Sequence, residues 1–374
     1  MPTFRVLIAG AGIGGLALAN GLRRAGVAVE VFERAPSVFA RGAGYRINIR
    51  PEGGQALLDC LPPNLGELYL ATSNRHCLPR IAGYDAALRE LFANDLPAPT
   101  HAHTSVDRLL LRQILLADLT EQVRFGKQVV DASQDEREAR VRFADGGTAT
   151  GDVLVAADGT HSVLRSRLLP DAEVLDVPLR CVWGKTPIPD GVPGWVPDAV
   201  RNRYSGVFGP GGDQLMIGLF QPRRHIVDAV AELAPYAHIR PVEDYLMWVY
   251  MGGATLPGAV ADWHPSVRKL IAAADPRTVV PVAIRVAAPV PPWRPSRITF
   301  LGDAIHTMSP AGGSGANTAL RDAADLAATL ASAADPRAAI AEYDERLRER
   351  GAAAVTESLR YGEQFAATIQ KGQR

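Results

Sequence analysis

The sequence predicts an α/β protein in which a nucleotide-binding lobe, assembled from separated stretches of chain, carries an inserted β-sheet lobe and ends in helices. Three observations predict it. Residues 5–34, "RVLIAGAGIGGLALANGLRRAGVAVEVFER", read as strand, glycine turn, helix, strand and acid. Apolar runs ending in Asp beside Gly recur in "DVLVAADG" and "RITFLGDA". Between Arg180 and Met251 the texture changes to bulky alternating residues broken by Pro and Gly turns.

Taken in order, Val6 to Ala9 is a short continuous apolar run, the pattern of a parallel strand covered on both faces. Gly10, Gly12 and Gly15 follow at G-x-G-x-x-G spacing, with Gly14 between them. Gly10 permits the tight turn, Gly12 lets backbone approach a pyrophosphate, and Gly15 lets the helix pack on the strand with its N-terminus toward the anion. Leu16, Leu18, Ala19 and Leu22 give the helix its buried side, and Val29, Val31 and Phe32 form the next strand. Glu33, before Arg34, ends that strand where a carboxylate accepts hydrogen bonds from ribose hydroxyls. Together these make a Rossmann-like dinucleotide unit. Glu33 would repel a 2′-phosphate, so the motif suits NAD or FAD and does not choose between them.

The later strand ends choose. "DVLVAADGTHSVLRSRL" ends a strand at Asp158-Gly159 and continues through Ser162, Arg165 and Arg167. "RITFLGDAIHTMSPAGGSGANTALRDAADLAATL" ends one at Gly302-Asp303, then runs through a Pro, Gly and Ser loop into a helix from about Asn317. Either aspartate taken alone reads equally as a turn or cap residue. Two such ends beside the first fingerprint imply one long ligand laid across several strand ends.

On these residues the chain resembles the group A FAD-dependent monooxygenases, the para-hydroxybenzoate hydroxylase class. "GAGIGG" with "VFER", "DRLLLRQIL", "AADGTHSVLR" and "GDAIHTMSPAGGSGANTALRDA" look like that family's four segments, in its order. The resemblance implies an FAD-binding domain in which Asp303 contacts the ribityl or pyrophosphate. It runs Pro310 to Asn317, including Gly313, Gly315 and Ala316, beside the isoalloxazine, with backbone N–H groups toward N1 and the C2 carbonyl. It places Arg108 near the pyrophosphate, with Arg112 the second basic residue of that segment, and gives Asp158, Gly159 and Arg165 to both FAD and the nicotinamide cofactor. Two departures stand out. Arg46 precedes the Ile47, Ile49, Pro51 series, where a cation suits an anionic substrate or a nicotinamide phosphate, or else faces solvent; Ser314 stands where the family often has glutamine.

The nucleotide lobe is expected over residues 1–70, 103–178 and 278–335, the substrate-binding lobe over 71–102 and 179–277, and a C-terminal helical segment over 336–374. "RCVWGKTPI", "RNRYSGVFG", "DQLMIGLFQ" and "YLMWVYMGG" read as strands of an antiparallel sheet with one face over a pocket. Its wall is expected to include Trp183, Tyr204, Phe220, Trp248 and Tyr250, joined by Met308 from the glycine-rich loop. "DWHPSVRKLIAAADP" reads as a helix with Val267, Leu270 and Ile271 inward, after which the chain returns to the first lobe near Val279. The last forty residues are rich in Ala, Glu and Arg, with Glu342 and Arg346 at i, i+4.

The resemblance further implies NADPH or NADH delivering hydride, O2 forming a flavin C4a-hydroperoxide, and hydroxylation of an aromatic or polyketide-like molecule. Epoxidation, Baeyer-Villiger-type insertion and non-catalytic flavin binding stay open. The flavin-dependent halogenase signature W-x-W-x-I-P is absent, and a plain NAD-dependent dehydrogenase would account for the first thirty-four residues only. A phenolic substrate reacts faster once deprotonated, and His101, His103, Tyr204, Tyr250 and His306 are candidate bases, His306 fitting a structural role in the loop better.

Lysine plus arginine equals aspartate plus glutamate at 40 each in 374 residues, so no overall field favours nucleic acid or an acidic membrane. Cys60, Cys77 and Cys181 are odd in number and widely spaced, arguing against disulfide and zinc frameworks and for a reducing cytoplasm. No segment approaches the ~20 apolar residues of a spanning helix. The expected assembly is a monomer or homodimer.

Overall fold

A computed structural model describes residues 4–40, 45–75, 80–95, 103–201, 204–253 and 255–372. His101 and Cys77 lie outside them. The nucleotide lobe is built on a five-stranded sheet in the order Ile298–Phe300, Val153–Ala156, Arg5–Ala9, Ala28–Glu33, Val123–Phe125. Every pairing is parallel, with Ile8 opposite both Val155 and Val31. Val6 to Ala9 are buried on both faces, which is why the strand carries no alternation. Parallel pairing puts the C-terminal ends of the Arg5–Ala9, Val153–Ala156 and Ile298–Phe300 strands side by side, so the three Gly-bearing turns emerge along one sheet edge.

Helix Ile13–Arg24 packs on helix Gly315–Ala331, which in turn packs on helix Pro51–Cys60. That last contact is backbone-close: a Cβ on Gly53 would lie 2.2 Å from the Asn317 side-chain oxygen. A small sheet of Val129–Gln134, Ala139–Phe143 and Thr148–Gly151 flanks the lobe. The final helix, Pro336–Gly372, lies along Gly315–Ala331; there Arg346 reaches across to Asp325 at 2.9 Å, so its described ion pair is between helices and not the i, i+4 pairing with Glu342.

The inserted lobe is a seven-stranded sheet in the order Val280–Ala287, Val174–Pro187, Tyr245–Gly252, Gln214–Phe220, Tyr204–Phe208, Arg80–Asp85, Glu90–Asp95. All pairs are antiparallel except Tyr204–Phe208 with Arg80–Asp85. The expected return to the first lobe near Val279 needs correction. Residues 280–287 form the edge strand of this sheet, and the chain re-enters the nucleotide lobe only at Ile298. The apolar texture of "VVPVAIRVAA" does not distinguish an edge strand here from a core strand there. A two-stranded ribbon, Arg46–Ile49 against Thr104–Asp107, lies between the two large sheets in the chain's path.

The seven-stranded sheet is covered on both faces. One face turns to the nucleotide lobe. The other packs Ile217, Leu246, Trp248 and Tyr250 against Trp263 and helix Pro265–Ala272, where Val267 and Leu270 are buried and Ile271 is half-buried. Cys60 and Cys181 are buried free thiols, and burial pushes them up to about 12 and about 11. No helix among the described residues is long and apolar enough to cross a membrane.

On the covered outer face Trp248 lies over Gly184, its cross-strand partner, and a Cβ there would sit 2.2 Å from the indole Cζ2. Gly184→Ala therefore overpacks the sheet, with an expected loss of about 1–3 kcal/mol, to be read as a lower midpoint in chemical denaturation; an unchanged midpoint would contradict this packing.

Candidate functional site

The first turn shows why its glycines are needed. Gly10 has φ of +114°, and a Cβ on it would lie 2.3 Å from the Ala157 carbonyl oxygen. A Cβ on Gly15 would meet the Gly10 carbonyl oxygen at 2.1 Å, and one on Gly14 would meet Leu301 at 2.4 Å. Gly12 has no atom within 4 Å of that position and is the N-cap of helix Ile13–Arg24, with no side chain bonded to the helix's first N–H groups. Those donors face open space, the arrangement that receives a phosphate. Glu33 is buried below the turn, accepting from Ala11 N at 3.0 Å and Ala35 N at 2.9 Å.

The second and third strand ends lie beside it. Asp158 accepts from Val163 N at 3.0 Å with one carboxylate oxygen, and its other oxygen is buried without a hydrogen-bond partner. Burial pushes this carboxyl up, against the pull of Ser162 and local backbone donors. Gly159 has positive φ and open space around it. Gly302, also at positive φ, donates to Asp322 at 3.1 Å and starts the short helix Asp303–His306. Asp303 is open to the cavity yet deep within the protein; burial pushes it up against the opposing charges of His306 and Arg108. Helix Gly315–Ala331 begins two residues before its expected start at Asn317, again without a side-chain cap.

These turns line one continuous cavity of about 1290 Å³ that extends to the inner face of the seven-stranded sheet. Of the residues expected to hold cofactor, Gly10, Gly12, Gly14, Gly15, Glu33, Arg34, Arg46, Arg108, Asp158, Gly159, Gly302, Asp303, Pro310, Gly313, Gly315 and Ala316 are on its wall. Arg165 and Asn317 are not. Arg165 is buried and ties the second strand end to the third by donating to Thr160 O at 3.0 Å and Ala304 O at 2.9 Å. Asn317 pins the two-stranded ribbon to its helix, accepting from Arg50 N at 2.8 Å and donating to Asn48 O at 3.0 Å. Arg112 is likewise no solvated helix residue: it is buried and donates to Ala11 O at 3.0 Å, bracing the glycine turn from behind.

Arg46 lies against the inserted sheet. It is buried, donates to Ser105 Oγ at 2.8 Å, and sits 5.6 Å from the centre of the Tyr204 ring. Its guanidinium fills the space above Gly218, 3.1 Å from where a Cβ would stand.

Trp183, Tyr204 and Met308 line the cavity; Phe220, Trp248 and Tyr250 do not. Strand alternation is the cause. On Tyr245–Gly252 the inward residues are Tyr245, Met247, Val249 and Met251, which sends Trp248 and Tyr250 into the outer core. Phe220 is on the inner face but beyond the cavity, stacked on Tyr245 at 5.1 Å. Wall residues not expected from sequence include Met216, Met247, Val249 and Met251; the in-out alternation was legible in "YLMWVYMG", but not which parity faced inward. His161, Arg285 and Lys127 were also missed.

Among candidate bases, His103 is on the wall, and burial holds its pKa down with help from Arg50 and Arg46. Burial pushes the Tyr204 phenol up against the opposing charge of Arg46. His306 is committed elsewhere: its Nε2 lies 2.5 Å from Asp322, which also accepts from Arg350 Nε at 2.8 Å. Burial disfavours the imidazolium, but the Asp322 carboxylate outweighs it and the net direction is up.

The lobes are joined by Asp107. It caps helix Arg108–Leu116 through Leu109 N at 2.8 Å and Leu110 N at 3.0 Å, and accepts from Lys185 Nζ at 2.8 Å and Tyr245 OH at 2.9 Å of the inserted sheet. Arg108, the next residue, is thereby fixed on the cavity wall.

Comparison with known proteins agrees with this geometry. Residues 8–65 match the NAD(P)-binding Rossmann-like domain model and residues 257–358 the FAD binding domain model. The FAD-dependent urate hydroxylase of Klebsiella pneumoniae is 30% identical, covering 92% of this chain and 86% of the relative. A dual O-methyltransferase/FAD-dependent monooxygenase of Cercospora beticola is 31% identical over 92% of this chain, which spans only 44% of that relative's length. A crystal structure from Photorhabdus luminescens, provisionally described as an FAD-containing monooxygenase, superposes with a TM-score of 0.78 at 31% identity, covering 96% of this chain and 97% of that one.

Two outcomes are expected of substitutions here. Lys185→Met leaves the Asp107 carboxylate buried without its cation and costs about 3–5 kcal/mol in denaturant unfolding, with Lys185→Arg recovering part; equal stability of all three proteins would rule out the joint. For His306, a raised native pKa means its stabilisation is complete below the unfolded value of ~6.5 and is lost as pH rises through the native one. The melting-temperature gap between the wild-type protein and His306→Gln should therefore narrow from mildly acidic to alkaline pH, and a widening gap would refute the charged pair.

Proposed function

Because the chain belongs to the FAD-dependent monooxygenases, we propose that it binds FAD across the three strand ends and uses NADPH or NADH and O2 to hydroxylate an aromatic or polyketide-like small molecule. The observation carrying this reading is the single cavity. At about 1290 Å³ it exceeds the ~300–1,000 Å³ usual for one ligand, and it runs from phosphate-receiving helix ends to an apolar, aromatic-bearing sheet face.

When bound, FAD supplies the redox chemistry, accepting hydride and activating O2. The chain's residues supply placement. Gly12 and the N-terminus of helix Ile13–Arg24 receive the pyrophosphate, with Arg108 alongside, and Glu33 accepts from the adenosine ribose. Asp158, with one buried oxygen lacking a partner, and Asp303, open to the cavity, would hold hydroxyl groups of the cofactor. The uncapped N-terminus of helix Gly315–Ala331, reached through Pro310 and Gly313, would hold the ring end of the cofactor, its partial positive charge favouring negative charge there. Trp183, Tyr204 and Met308 bound the substrate region and exclude water from the reacting atoms. Of the candidate bases, His103 lines the cavity, where burial with Arg50 and Arg46 favours the neutral imidazole that a proton acceptor for a phenolic substrate needs, while burial holds Tyr204 toward its protonated form.

The purified protein is expected to carry FAD near one per chain and to oxidise NAD(P)H faster in the presence of a phenolic substrate. Bound flavin with no substrate-stimulated oxidation across a broad phenol panel would favour a flavin-binding role over an oxygenase, and a protein that takes up no FAD would end both.

A further inference from the structure

The chain has five methionines, and all four among the described residues, Met216, Met247, Met251 and Met308, line the cavity. Three come from the inner face of the seven-stranded sheet, and none enters the core on its outer face, which uses Trp, Tyr, Leu, Ile and Val from the same strands. Met216 stands opposite Val249 and Met247 opposite Gly218, so two thioethers lie on neighbouring strands of the wall. Room is made for one of them: a Cβ on Gly206 would lie 3.1 Å from the Met216 sulfur. Met308 closes from the other lobe, with its Cγ 3.8 Å from the Cβ position of Gly315.

The width and polarity of this wall specify a ligand. Tyr204 and Trp183 stand on it three strands apart, with Ile81 and residues 281–285 continuing the wall on the strands beyond them, and three interstrand spacings make about 14 Å. That is well beyond one six-membered ring. Trp183 is backed by Tyr45 at 4.3 Å between ring centres, and Tyr204 by Arg46, so both ends are stiff while the thioethers between them are adaptable. Among described wall residues of the seven-stranded sheet, Arg285 alone carries a charge, and it is engaged by Asp176 at 2.7 Å and His161 at 2.8 Å; Arg46, from the two-stranded ribbon, brings a second cation to the Tyr204 end. A small heteroaromatic ring with donors and acceptors on every edge would find polar partners only at the Arg46 and Trp183 ends, and over the thioether stretch between them it would lose water without gaining any. A flat fused-ring hydrocarbon surface would keep sulfur–aromatic contact along its length.

We infer that the substrate is a fused-ring phenol, two or more rings wide, and that Met216 and Met247 are specificity-determining residues which select it over single-ring and polar heteroaromatic compounds. This rests on the oxygenase reading for its chemistry, but its test is a binding measurement that does not need turnover.

The FAD-loaded protein would be titrated with 2-naphthol, 1,8-dihydroxynaphthalene, phenol, urate and 6-hydroxynicotinate, following the change in flavin absorbance and tryptophan fluorescence. The two naphthols should bind at least tenfold more tightly than the other three. Met216→Leu and Met247→Leu keep apolar volume and should keep the fold, checked by circular dichroism and FAD content. Each should weaken naphthol binding by roughly 2- to 12-fold, the usual worth of a sulfur–aromatic contact, with phenol affected less. Equal or tighter binding of urate, 6-hydroxynicotinate or phenol would overturn the inference, as would folded variants that bind naphthols like the parent. Tight naphthol binding without stimulated NAD(P)H oxidation would sustain the inference about shape while removing the oxygenase reading.

Discussion

Backbone packed directly on backbone at the sheet edge is the constraint on which the cavity depends. The Gly10 turn leaves no room for a side chain beneath the Ala157 carbonyl, and helix Ile13–Arg24 leaves none at Gly15 beneath the Gly10 carbonyl. The Arg5–Ala9 and Val153–Ala156 strand ends are thus held in contact, and parallel pairing with Ile298–Phe300 brings the third alongside. Arg112 and Arg165 secure this edge by donating to its carbonyls from below, which explains why two cations are buried where a sequence reading would place them in solvent or on a ligand.

Two buried charge clusters carry that rigidity outward. Asp322 gathers Gly302 N, His306 and Arg350, and so fixes the loop that starts helix Asp303–His306. Asp107 gathers two helix N–H groups, Lys185 and Tyr245, and so fixes the angle between lobes. Such clusters return little net stability, because both partners lose water, but they penalise any other arrangement heavily. Their place in this molecule suits that: each lies one residue from a group on the cavity wall, Asp303 in one case and Arg108 in the other.

The nucleotide lobe was legible in the sequence because its signals are local. Apolar runs, glycine spacing and a terminal acid occur within thirty residues, and the physics that needs them acts over the same span. The inserted sheet was less legible. Its strands are apolar on both faces, since one covers the cavity and the other packs on helix Pro265–Ala272, so alternation in "YLMWVYMG" gave no sign of which set faced inward. Aromatic size suggested Trp248 and Tyr250 for the pocket; the deciding fact was the partner of the opposite face, Trp263, some distance on in the chain. Residues 280–287 were misplaced for a related reason, since edge and core strands differ by their neighbours and not by their own composition. Arg165 and Asn317 sat in the expected motifs, but spacing alone does not tell which side of a turn a side chain leaves from.

The concentration of thioethers along one wall also has a chemical cost. Methionine is readily turned into a polar sulfoxide, and here it lines a chamber in which, on the proposed chemistry, oxygen is reduced. Oxidant that escapes the substrate has four thioethers on the wall around it. Each sulfoxide so formed would stiffen and wet the surface that recognises flat apolar rings, so poorly coupled turnover would erode its own selectivity first and leave the distant outer core, which holds no described methionine, intact.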